Sequence, residues 1–156
     1  MQQNKTEFYA SLNAQLSALL SGERNPMTNL SQFSAFIFMH LDNINWAGFY
    51  LMSDSDTLKL GPFQGKIACT TIPIGKGVCG TAAQERKSLV VEDVDQFDGH
   101  IACDAASRSE VVCPLIVGDQ LIGVLDIDSP SLNRFDKDDA LGLEKLVDSL
   151  LNATDF

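Results

Sequence analysis

Residues 109–128, SEVVCPLIVGDQLIGVLDID, set two apolar, β-rich runs on either side of Gly118-Asp119-Gln120. Runs of this kind around a short turn-forming triplet predict a β-hairpin. Further extended runs precede it: NWAGFYLM (45–52), TLKLGPF (57–63), IACTTIPI (67–74) and SLVVED (88–93), each bounded by Gly, Pro or Asp/Ser turn residues. Between the last two, GKGVCGTAAQERK (75–87) is Gly-rich and then Ala-rich, which suits a loop running into a short helix. Residues 92–108 read mostly as loop.

Helical periodicity marks both ends. Phe8, Leu12, Leu16, Leu19 and Leu20 recur at helical spacing, SGERNP breaks the pattern, and a second amphipathic stretch runs from about Met27 to Leu41. At the other end, RFDKDDALGLEKLVDSLL (134–151) places Ala140, Leu143, Leu146, Val147, Leu150 and Leu151 on one face, with Asp136 as the N-cap. The order α-α-β-β-β-α-β-β-β-α predicts an α+β fold, an antiparallel sheet faced by helices, with residues 1–156 as one domain.

Charge narrows the function. Eleven Lys and Arg against 21 Asp and Glu give a net charge of −10. Such a surface repels phosphate backbones and anionic membranes, so neither nucleic acid nor membrane is an expected partner. The N-terminus carries no basic region followed by an apolar run, and no apolar stretch approaches the ~20 residues of a membrane span. The expectation is a cytoplasmic protein whose four cysteines, Cys69, Cys79, Cys103 and Cys113, are thiols at rest.

These cysteines are ten, twenty-four and ten residues apart, which excludes a C-x2-C metal knuckle. His100 and Cys103 offer at most half a metal site, so no metal or cofactor is expected. GKGVCG (75–80) lacks the P-loop pattern, and there is no Gly-x-Ser-x-Gly elbow. Cys113, in the apolar VVCPL, reads as a packing group whose reactivity burial suppresses. Cys103, in GHIACDAASRSE (99–110), has small neighbours, with His100 and Arg108 supplying positive charge and Asp104 opposing it. Its sequence neighbours leave two readings open, core filling or nucleophile.

GVLDIDSP (123–130) sets Asp126 and Asp128 two apart in a strand, so both project from one face, and Glu110 opens the partner strand. The three carboxylates are either a solvated sheet edge or a pocket that holds a cation or a proton. Trp46 and Tyr50, four apart, share a strand face and serve either core packing or a binding wall.

Taken together, NWAGFYL, GPFQGKIAC, IPIGKGVCG, VVEDVDQFDGHIACDAASRSE and GVLDIDSP closely resemble the free methionine-(R)-sulfoxide reductases, enzymes built on a single GAF domain. The resemblance runs from about residue 20 to 150. It implies a GAF-like fold, Cys103 as nucleophile, Cys69 as resolving cysteine and Cys79 as a secondary partner. It further implies that Glu110, Asp126 and Asp128 are the acidic site residues and that Trp46 and Tyr50 wall the substrate's methyl group. The implied substrate is free methionine-(R)-sulfoxide, the implied reductant is thioredoxin, and the family is commonly dimeric. Two competing readings are a non-catalytic GAF sensor of a small ligand, which has no need of the cysteine trio, and a thiol peroxidase, which has no need of the carboxylates.

Overall fold

The computed structural model describes residues 4–100 and 106–156. Two helices, α1 (Lys5–Leu20) and α2 (Pro26–His40), lead into β1 (Trp46–Met52), β2 (Thr57–Gly65) and β3 (Thr71–Pro73). Then follow α3 (Gly77–Glu85), β4 (Leu89–Val91), a 3-10 turn at Val94–Gln96, β5 (Ser109–Val117), β6 (Gln120–Ser129) and α4 (Lys137–Asn152). The six strands form one sheet in the order β3-β2-β1-β6-β5-β4, and every neighbouring pair is antiparallel. This is the α+β architecture expected from the hairpin and the terminal helices.

Side chains alternate across a strand, so each strand contributes to two layers. Ala47 and Phe49 of β1, Leu125 and Ile127 of β6, and Val111, Cys113 and Leu115 of β5 face α1, α2 and α4. Trp46 and Tyr50, Val124 and Val112 face the opposite way, toward α3 and the loops around it. The first core is dominated by Leu16, Phe33, Phe49, Ile37 and Leu143; the second is smaller and includes Val78, Cys79 and Ala82 of α3.

The helices are set by their caps. Asp136 and Asp139 form a capping box at the start of α4, and Asn4 and Asn25 accept from the first turns of α1 and α2. The buried face of α1 is Tyr9, Leu12, Leu16 and Leu20. Leu19, which the expected face included, is exposed, and Phe8 only half-buried. Tyr9 takes the inner position because its hydroxyl donates to the buried Asp139 Oδ1 at 2.7 Å, while Gly142 leaves room for its ring. The extended run expected at 67–74 is also shorter than its sequence suggests. Only Thr71–Pro73 pairs with β2, and residues 66–70 form a loop held by side chains of β1. Among the described residues no helix is long and apolar enough to cross a membrane.

Gly48, in the middle of β1, pairs with Phe63 on one side and Asp126 on the other. A Cβ there would sit 2.7 Å from the Phe63 Cα and 2.8 Å from the Pro62 carbonyl oxygen, so the strands must part to admit it. Gly48→Ala is expected to cost about 1–3 kcal/mol, the usual range for overpacking, measured as a lowered urea midpoint.

Candidate functional site

Three strands bring the polar residues of the second layer into register. Asp128 on β6 lies opposite Trp46 on β1 and opposite Glu110 on β5. One step along, Asp126 lies between Gly48 and Val112. The carboxylates therefore share the face that carries Trp46 and Tyr50, and all five residues line one cavity of about 50 Å³. Cys79 enters it from the first turn of α3, and Ile67 and Ala68 from the β2–β3 loop.

The aromatic wall is rigid. Trp46 stacks on Tyr50 at 5.8 Å and on Phe63 at 5.2 Å between ring centroids. Gly65, at φ +131°, lets the chain turn directly beneath the Trp46 ring, where a Cβ would meet Trp46 Cδ1 at 2.6 Å. The Trp46 Nε1–H donates to the Lys66 carbonyl oxygen at 3.1 Å, and the Tyr50 hydroxyl to the Cys69 carbonyl oxygen at 3.0 Å. Burial pushes the Tyr50 phenol up, and the negative potential of Asp126 adds to this, so the hydroxyl remains a donor.

Glu110 and Asp126 are only 6% and 5% exposed. Burial, reinforced by the charges of Asp126 and Asp128, drives the Glu110 carboxyl well above its ordinary range. Burial also raises Asp126, against hydrogen bonds from Glu110, Asp128 and Cys79 and the pull of His100. Among the described residues Asp126 Oδ1 has no hydrogen-bond partner. The Cys79 thiol donates to Glu110 Oε2 at 3.9 Å, and burial together with Asp126 and Glu110 pushes its pKa well up. It stays a thiol, a poor nucleophile by this measure. Ligand-type atoms of Cys79, Glu110 and Asp126 lie within 4.8 Å of one another, close enough to hold a metal ion. Such an ion would have to displace the protons that burial retains, and the chemistry at hand is that of a proton store beside a soft, apolar wall.

The cysteines separate into distinct environments. Cys69 is engaged in a disulfide rather than resting as a thiol, whereas Cys79 and Cys113 are free. Cys103 lies outside the described residues, as does Asp104. On either side of that segment, His100 and Ser107 both line the cavity. Cys113 is buried on the opposite face of the sheet, and burial pushes its thiol up to about 12.

Residues 28–154 match the GAF domain family. The free methionine-R-sulfoxide reductase of Escherichia coli is 56% identical over 98% of this chain and 94% of its own length. The chain belongs to the free methionine-(R)-sulfoxide reductase family of GAF domains. Staphylococcus aureus fRMsr, solved in complex with substrate, superposes at a TM-score of 0.88 with 50% identity, covering 93% of this chain and 94% of that one. A free methionine-R-sulfoxide reductase from Neisseria meningitidis, also solved with its substrate, gives a TM-score of 0.91 at 41% identity, covering 98% of this chain and 92% of that one.

For a member of this reductase family, two cavity features escape the sequence reading. Lys76 and the first turn of α3 reach the cavity, and no side chain caps that turn. The Gly-rich stretch 75–80, which reads as a loop running into a short helix, is the available signal. The second feature is Ile67, at the cavity mouth and 91% exposed.

Two predictions follow from this environment. Burial raises the Glu110 carboxyl well above its ordinary range and Asp126 in the same direction, so the folded protein binds these protons more tightly than the unfolded chain, which releases them above pH of about 4. Their contribution to stability is complete below that range and is lost as pH rises through their raised folded values. The melting temperature of Glu110→Gln should accordingly fall less than that of the parent protein between about pH 5 and about pH 8, as read by calorimetry. Cys113→Ala should retain activity while losing stability, and Cys113 in the folded protein should resist alkylation until denaturant is added.

Proposed function

We infer that the chain reduces free L-methionine-(R)-sulfoxide to L-methionine, with Cys103 as nucleophile and Cys69 as resolving cysteine. The observation that carries this reading is a cavity lined by an aromatic wall and by buried carboxylates of raised pKa, whose wall residue Tyr50 bonds the main chain of the disulfide-engaged Cys69. The relatives with substrate bound, at 41–50% identity over nearly the whole chain, support the same assignment.

A free amino acid matches the polarity of the cavity. Asp126, with one oxygen unpartnered, suits the substrate ammonium. Lys76 and the uncapped first turn of α3, whose N–H groups point out of the helix end, suit its carboxylate. The stacked Trp46 and Tyr50 rings suit the methyl-sulfur end. A sensor would find use for this shape, but a disulfide in the loop beside it would serve no purpose in simple binding. A peroxidase would not need the carboxylates.

In the first step the Cys103 thiolate attacks the sulfoxide sulfur while a carboxylic acid protonates the oxygen. Glu110 and Asp128, adjacent across β5 and β6, supply that proton. The hydroxyl then passes from the substrate sulfur to the Cys103 sulfur as the bond between the two sulfurs breaks, so that methionine departs and Cys103 is left as a sulfenic acid. The Cys69 thiol then attacks the Cys103 sulfur, forming the disulfide and releasing water. A dithiol protein of the thioredoxin type reopens the bond by exchange, returning two thiols and leaving its own disulfide. Cys79 is the weaker candidate for resolution, since its proton is held by its carboxylate neighbours. The chemistry runs within one chain, and dimerisation, though common in the family, supplies nothing that this account requires.

Single-turnover assays test the assignment. Cys103→Ser should form no methionine, and wild-type methionine formation in that variant would overturn it. Cys69→Ser should form methionine once and then turn over slowly with thioredoxin. Glu110→Gln should lower both kcat and kcat/KM, Asp128→Asn should act on kcat, and Asp126→Asn chiefly on KM, with losses on the order of 10²–10⁴ for removal of the proton donor. Parallel assays with the S epimer and with sulfoxide in a peptide should give little product.

A further inference from the structure

The β2–β3 loop carries Cys69 and has few main-chain ties of its own. Leu60 N–H donates to the Thr70 carbonyl oxygen at 3.0 Å, and the ladder to β3 begins only at Thr71. Within the loop Ile67 is 91% exposed, while Ala68 and Cys69 are half-buried against the smaller core. Two side chains of β1 fasten it instead. Trp46 holds the carbonyl of Lys66, and Tyr50 holds the carbonyl of Cys69 itself. Tyr50 has little freedom, being 2% exposed and stacked on Trp46.

We propose that Tyr50 is a positioning residue for the second chemical step, its hydroxyl holding the Cys69 main chain where the Cys69 thiol closes the disulfide. This rests on the reading of Cys69 as the resolving cysteine. The bond is present with Cys69 in its disulfide, so it stabilises the closed form of the loop. Closure is an intramolecular reaction, and its rate depends on how often the two sulfurs meet in the attacking geometry. Without the hydroxyl, the Cys69 carbonyl turns to water and the loop samples positions in which the thiol is out of reach. Tyr50 thereby joins two tasks at one ring: its face borders the substrate cavity, and its hydroxyl sets the residue that acts after the product has left.

Because Tyr50 also borders the cavity, the test omits the sulfoxide substrate. Fully reduced protein is treated with one equivalent of hydrogen peroxide. The Cys103 thiolate takes one oxygen to become a sulfenic acid and releases hydroxide, and the Cys69 thiol then closes the disulfide with loss of water. Closure is timed by competition with dimedone, which traps the sulfenic acid, and the adduct is quantified by mass. The ratio of disulfide to dithiol is measured separately in a dithiothreitol redox buffer. Tyr50→Phe keeps the ring and removes one neutral hydrogen bond, so closure should slow by about three- to tenfold and the ratio should shift toward the dithiol by a similar factor. If closure rate and ratio match the wild type, or only the melting temperature falls, the positioning role is overturned. Cys69→Ser is the control: if closure persists in it, the reading of Cys69 as resolving cysteine falls first. If Cys69→Ser abolishes closure while Tyr50→Phe is unchanged, only the positioning role falls.

Discussion

Strand alternation in the β1–β6–β5 triplet is the constraint on which the rest depends. With a period of two, every residue that faces the three long helices has neighbours that face the cavity. Phe49, Leu125, Ile127 and Val111 bury the sheet against α1, α2 and α4, and the same register leaves Trp46, Tyr50, Asp126, Asp128 and Glu110 on the other side. A one-residue slip between β5 and β6 would send the carboxylates into the apolar layer. The larger core therefore fixes the register that assembles the cavity lining.

The cavity itself opposes folding at the pH where it works. Carboxyl groups crowded into a buried space cannot all ionise cheaply, and burial raises Glu110 well above its ordinary range and Asp126 in the same direction. Other buried charge in the molecule is handled differently. Asp139, equally hidden, accepts from Tyr9 and Lys5 and from the Asp136 main chain, so its charge is matched by donors. The two sites show one physical rule with opposite outcomes: where donors surround a carboxylate it serves structure, and where other carboxylates surround it the proton becomes available for chemistry.

Most of the fold was legible because its signals are local. The hairpin around Gly118-Asp119, the Asp136 cap and the helical stripes of α4 follow from periodicity and turn chemistry alone. The shared face of Asp126 and Asp128 was legible for the same reason, and Glu110 followed from the hairpin. What escaped depends on contacts between distant segments. Tyr9 displaces Leu19 on α1 because Asp139 lies 130 residues away along the chain. The loop at 66–70 reads as strand by composition, but the Lys66 and Cys69 carbonyls bond to Trp46 and Tyr50 side chains, and only Thr70 bonds to β2. Likewise, the Gly-rich stretch 75–80 marks a loop leading into α3, but only tertiary packing brings the start of that helix to the cavity.

The sheet also acts as a partition for sulfur. Cys113 lies among the helix-facing residues, whereas Cys79 and Cys69 belong to the layer on the far side. Thiol–disulfide exchange needs sulfurs in contact, and a closed layer of paired strands cannot be crossed by a side chain. A protein that repeatedly makes and opens a disulfide would otherwise risk trapping its spare thiol in a wrong pair. Here exchange between Cys113 and the sulfurs of the far layer requires the strands to come apart, so the cooperativity of the whole fold guards against such scrambling.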